Sequence, residues 1–435
     1  MSNNQRPHFW IPDNEVEQVS KTIRGDSKPR DIVHSEHGAK LSQGLQFVKQ
    51  ALESIQDDDS LQDMGLYVFR VELPEGEKVQ SRKDLFSSNG MKINAVKDER
   101  NAIVSTTKQQ FQILKNRVNA YTSKGTNKTY FDYIENISPY VGTEKNASVL
   151  KKKVYIDRPP ETIDIQLMFI PNLQAQEYEV AVAKVVEKIT ATNGVIQQQP
   201  YYLSDNTPVI RAIIPSSALM RYENDSAIYR IEETRFFSAR VDGGPNSIPA
   251  SVGINKDVDI GSLPIVAVLD SGVNFTTPFD QLLIDHWIAP GSTGGDCDHG
   301  TRVASKVAFA HLGVLLSGTD ILTPRARIID CNIMDGSVPE NIFIQRIQDA
   351  VALYSGMTKI FNLSANASAP IEGDEMSIIG FELDALQLKH GVQCVISAGN
   401  HDLWQTENHQ WLYQGHSNSD DRRFQRNRSP HIHGR

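Results

Sequence analysis

Residues 264–272 read PIVAVLDSG, a run of apolar residues without alternation, closed by an aspartate, a serine and a glycine. A short run that is apolar on consecutive residues suits a strand buried on both faces of a parallel sheet. Three later runs share this character: ARIIDCNIM (326–334), KIFNLS (359–364) and VQCVIS (392–397). Helical spacing separates them, with Phe343, Ile347, Ala350, Val351 and Tyr354 on one face and Met376, Ile379, Leu383 and Leu386 on another. Alternating strands and helices predict an α/β domain over 263–408, built on a doubly wound parallel sheet with right-handed crossovers. In such sheets function gathers at the carboxyl ends of the strands.

Upstream the pattern changes. Residues 163–236 predict a small split βαβ sandwich. IDIQLMFI (163–170) is its first strand, and a helix follows with Tyr178, Val182, Val185, Val186 and Ile189 inward, stopped by Asn193 and Gly194. A strand in PVIRAII (208–214), a short helix from near Ser216 and a last strand complete it. Residues 237–262, which include DGGPNSIP, read as a linker. Residues 1–150 predict an α+β region without a chemical signature. One helix there turns Leu41, Leu45, Val48, Leu52 and Ile55 inward, another turns Phe111, Leu114, Val118 and Tyr121 inward, and GLYVFRVELPEG forms a strand between them. KKKVYIDRPP, Lys151–Pro160, reads as a connector.

Three polar residues fall where the sheet rule wants them. Asp270 closes the strand IVAVLD, His299 opens the helix HGTRVASKVAFA, and Asn400 ends VQCVISAGN. A carboxylate, an imidazole and an amide are what acyl transfer needs around a nucleophile. The carboxylate fixes the imidazole tautomer, the imidazole takes the hydroxyl proton, and the amide donates to the developing oxyanion.

The order VAVLDSG, DHGTRVAS, SAGN resembles that of the subtilases, the subtilisin-like serine proteases of peptidase family S8, over about residues 262 to 402. The resemblance implies a serine endopeptidase acting on protein or peptide, with Asp270 as acid, His299 as base and Asn400 as oxyanion donor. It also implies a prodomain-like role for 163–236, with a regulatory or docking module as the alternative. Arg302 stands where the family commonly has histidine and Ser305 where it has glycine, and Cys297 and Asp298 precede the base. Cys297 is expected to be a small buried side chain, with a thiol that makes the assembled enzyme sensitive to thiol reagents as the alternative.

The family's nucleophile stands in Gly-Thr-Ser, a triplet this sequence lacks; Ser417, Ser419 and Ser429 open no apolar helix. The expectation is therefore the first two-thirds of a catalytic domain, followed from 409 to 435 by an aberrant or disordered tail, in a chain without peptidase activity. The alternative function is a catalytically silent, subtilase-like binding or regulatory protein.

Composition sets outer bounds. The 435 residues, 39% of them apolar, suit a soluble protein of several domains. Forty-four basic against 53 acidic residues give a net charge of −9, which opposes a general affinity for nucleic acid or anionic membrane. The start has no signal-peptide pattern and no run is long enough to span a bilayer, so a cytoplasmic location is expected. Cys297, Cys331 and Cys394 lack the spacing of a metal site or disulfide framework. No cofactor or metal is expected; calcium is not readable from the carboxylate spacing.

Overall fold

Residues 31–55, 59–61, 64–239, 252–310, 321–367 and 376–397 are described by a computed structural model. The first unit grows from two amphipathic helices. Helix α1 (His34–Ser54) buries Leu41, Leu45, Val48 and Leu52, and α3 (Lys108–Lys124) buries Phe111, Leu114, Val118 and Tyr121. Thr107 caps α3 by accepting from the Gln110 N–H, and Gly125 closes it in the left-handed region. Both helices share a core with the antiparallel strands β1 (Leu66–Glu72), β2 (Lys92–Val96), β3 (Asn101–Thr107) and β4 (Asn136–Pro139), ordered β2-β3-β1-β4. Short helices α2 (Lys83–Ser88) and α4 (Lys128–Phe131) fill the connections.

The second unit repeats this topology. Strands β5 (Thr162–Phe169), β6 (Val195–Ile196), β8 (Pro208–Pro215) and β9 (Ile228–Glu233) form an antiparallel sheet ordered β6-β8-β5-β9, with β7 (Tyr201–Tyr202) also on β8. Helices α6 (Ala175–Ala191) and α7 (Leu219–Glu223) occupy the places of α2 and α3 in the strand-helix-strand-strand-helix-strand order. The expected connector is not one at its start. Lys151–Lys153 lie in α5 (Ser148–Val154), whose Leu150 and Val154 enter the second unit's core.

Lys188 of α6 also departs from the expected face. It is buried and paired with Asp225, while Val182 and Val186 are only partly buried. Around it a reciprocal lock joins the two units. Ser60 Oγ donates to Asp225 at 2.6 Å and Ser226 Oγ donates to Asp59 at 2.5 Å, while buried Lys145 donates to the Asp225 carbonyl at 2.6 Å. Two lysines beside two aspartates leave the buried charges balanced.

The third unit carries the parallel sheet. Strands β12 (Ile265–Asp270), β13 (Leu283–Ile288), β15 (Arg327–Asn332), β17 (Ile360–Leu363) and β19 (Gln393–Ile396) are ordered β13-β15-β12-β17-β19. Every pair in it is parallel. Helix α8 (Asp298–Phe309) packs Ala304, Ala308 and Phe309 with Val268 and Ile328. Helices α9 (Glu340–Tyr354) and α10 (Ile378–His390) pack in a second core. The expected linker is structured at both ends: β10 (Phe236–Ser238) precedes residues 240–251, and β11 (Gly253–Ile254) pairs with β14 (Ile321–Leu322).

The second unit keeps its own sheet and docks on α9 and α10. Met168, Tyr201, Leu203 and Val209 enter the core that holds Phe343, Ile347, Ile378 and Leu383. Polar contacts edge this apolar centre. Glu382 accepts from the N–H and hydroxyl of Ser204, each at 2.7 Å; Glu232 accepts from the Ile378 N–H at 3.2 Å, at the start of α10; and Glu340 accepts from Gln166 at 2.8 Å. Beyond the docked sheet, β10 runs antiparallel between β16 (Val338–Pro339) and β18 (Asn366–Ala367), both of the third unit.

Candidate active site

Asp270 ends β12, the central strand, flanked by β15 and β17. Strands are added on one side of β12 and then on the other, the arrangement that opens a crevice in an open α/β sheet. The Asp270 side chain is fully buried, and Oδ1 accepts the Ser271 N–H at 2.7 Å. His299 Nδ1 lies 2.8 Å from Oδ1 and 2.9 Å from Oδ2. An ionised carboxylate only accepts, so Nδ1 carries the proton and the Nε2 lone pair is left for other work. The His299 side chain keeps 17% of its surface exposed.

Two glycines make the approach feasible. Gly272 has φ +100°, where a side chain is strained, and a Cβ on Gly300 would stand 2.2 Å from the Gly272 carbonyl oxygen. With both backbones bare, the turn after β12 and the first turn of α8 interlock. The Gly300 N–H donates to Ser271 Oγ at 3.3 Å and the Asn274 N–H donates to Thr301 Oγ1 at 2.8 Å. Gly300→Ala is therefore expected to lose about 1–3 kcal/mol by overpacking, read as a lower Tm together with a loosened His299–Asp270 pair. An unchanged Tm would contradict this close approach.

Two of the positions that depart from the resembled pattern have a defined local setting. Ser305 turns its hydroxyl back onto the Thr301 carbonyl at 2.7 Å. Cys297 caps α8 in the left-handed region, half-buried and not fully enclosed. Burial first, and then Asp330, Asp296 and Asp298, push its thiol up, so little thiolate forms. Asn400, Ser417, Ser419 and Ser429 lie outside the described residues.

A second acid–imidazole pair went unnoticed in the sequence. Asp330, on β15, is fully buried and its Oδ2 stands 2.5 Å from His286 Nδ1 on β13. The signal was available: a charged residue inside the apolar run ARIIDCNIM is rarely buried without a partner. Among the described residues no three His, Cys, Asp or Glu side chains gather as a metal ion would need, and no helix is long and apolar enough to cross a membrane.

The model of the subtilase family, peptidase S8, matches residues 261–421, so a subtilase domain is present in the chain. The match runs past Asn408, after which the sequence reading begins an aberrant tail. Residues 35–141 match the model of the Y4kK N-terminal domain. No curated protein matches. A solved structure, that of the epidermin leader peptide processing serine protease from Staphylococcus aureus, is 12% identical and superposes with a TM-score of 0.29. The alignment covers 53% of this chain and 57% of that one, so the chain spans a little over half of that protein's length.

Proposed function

We propose that the third unit is the first part of a serine endopeptidase domain in which His299 is the general base, Asp270 holds it, and Asn400 donates to the oxyanion. The observation that carries this reading is the paired Asp270 carboxylate and His299 Nδ1 at the central strand's carboxyl end. Nε2 would take the proton of a serine hydroxyl during attack on a peptide carbonyl and return it to the leaving amine. The serine would come from a Gly-Thr-Ser segment that these 435 residues do not contain. A form carrying such a segment is expected to hydrolyse peptides and to stop on His299→Ala; hydrolysis that survives the substitution would refute the role of the base.

The second unit would act as an intramolecular, prodomain-like inhibitor. Phe237 pairs with Val338 on one side and Ala367 on the other, as an extended peptide pairs with two strand edges. Its ring stacks on Phe343 at 4.3 Å and 9°. A double-mutant cycle over Phe237→Ala and Phe343→Ala is expected to return a coupling of about 0.5–1.5 kcal/mol in stability; zero coupling would leave β10 held by its backbone alone. The alternative reading is a catalytically silent binding or regulatory protein that keeps the protease scaffold to hold peptides or a partner. The same groove would then serve as its binding site.

A further inference from the structure

Asp330 and His286 take no part in the proton transfer outlined above, yet they stand beside it. Asp330 is flanked across the sheet by Val268 of β12 and His286 of β13. Its Oδ2 accepts two donors, the Val273 N–H at 2.9 Å and His286 at 2.5 Å. Its Oδ1 is buried with no hydrogen-bond partner among the described residues. Val273 ends the turn Asp270-Ser271-Gly272-Val273, so the Asp330 carboxylate fixes the far end of the turn whose near end is Asp270.

The electrostatics work in the same direction. Burial first pushes the Asp330 carboxyl up and the Asp270 charge adds to this, while the Val273 N–H and His286 pull it back. Two buried carboxylates on neighbouring strands, Asp270 at the end of β12 and Asp330 two residues before the end of β15, need donors, or one of them takes up a proton and ceases to be a charged acceptor. His299 Nδ1 bonds Asp270 at 2.8 Å, and His286 Nδ1, on a side chain that is 52% exposed, bonds Asp330 at 2.5 Å.

We propose that Asp330 and His286 form a positioning pair for the Asp270–His299 couple, in which Asp330, oriented by its hydrogen bond to His286, holds the 271–273 turn through the Val273 N–H. The proposal rests on the reading of Asp270 and His299 as acid and base. Asp330 would touch neither substrate nor His299, and would act through the turn.

The test uses the full 435-residue chain, 15N-labelled at histidine and at valine. The Nδ1 proton that His299 shares with Asp270 should give a protected low-field resonance, identified by its absence in His299→Ala. Its loss in Asp270→Asn tests the underlying reading by itself. Asp330→Ala should speed exchange of both this proton and the Val273 amide by at least about tenfold, and His286→Ala should speed exchange of the imidazole proton. Asp330→Asn keeps an acceptor for Val273 and should restore that amide's protection. Protection at the Val266 and Val268 amides shows that the sheet remains folded in each variant. If the His299 proton exchanges at the parent rate in Asp330→Ala or in His286→Ala, the positioning role is wrong, whatever the outcome for Asp270→Asn.

Discussion

A polypeptide of these 435 residues is expected to remain unlabelled by a fluorophosphonate probe, while a form continued in frame through a Gly-Thr-Ser segment labels at that serine. On the proposed reading the paired His299 and Asp270 would supply the proton acceptor and its support, and no acyl-enzyme would form until a serine is placed beside them. Removing the serine from such a constellation costs about 10⁶-fold in rate, and losing the base alone costs nearly as much because the members act as a unit. The continued form should therefore lose labelling on His299→Ala. Labelling of the 435-residue protein at Ser417, Ser419 or Ser429, abolished by His299→Ala, would show that the tail supplies a nucleophile after all.

The second large effect is one of pH. Glu340 is fully buried where the second unit meets α9, and burial first, then Glu232, push its carboxyl up to about 8, while Arg235 opposes them. Arg230 bonds Glu232, and Tyr201 faces the pair through Gln166, which donates to Glu340. One oxygen of each carboxylate is buried without a hydrogen-bond partner among the described residues. In the unfolded chain Glu340 ionises near its ordinary value of 4.5; folded, it keeps its proton to about 8. The folded state thus holds more protons across this window, and stability falls as pH rises through it, by up to about 1.4 kcal/mol per pH unit. Glu340→Gln removes the titration, so its Tm relative to the parent should be near parity around pH 4.5 and increasingly favourable up to pH 8. A constant difference across the window would mean that Glu340 is ionised in the fold.

Much of this architecture could be read from the sequence wherever the signal was local. Ile265–Asp270 is a strand because consecutive apolar residues need cover on both faces, and α3 follows its four periodic side chains. The Asp270 and His299 motifs carry their own glycines, whose bare backbones let the two turns meet. Long-range pairings left no such trace. The shared topology of the first two units depends on β1 and β5 being central in their sheets, which strand order along the chain does not state. Phe236–Ser238 falls largely within the expected linker because three residues have no period, and its partners lie about 100 and about 130 residues further on. Lys188 carries no core signal in the sequence, since a lysine beside an apolar face reads as solvated; its pairing with Asp225, between α7 and β9, places it in the core.

The reciprocal lock between Asp59-Ser60 and Asp225-Ser226 decides what would leave if the backbone were cut between Ser238 and Val252. The second unit could not depart alone, because the first is fastened to it through buried charge. Before a cut the docked body and the third unit belong to one covalent chain, so their contact is intramolecular and independent of protein concentration. On the proposed inhibitor reading, a cut would turn the occupant into a separate two-unit body whose hold depends on its actual concentration, and dilution, which does nothing to the intact chain, would then free the place of β10 between β16 and β18.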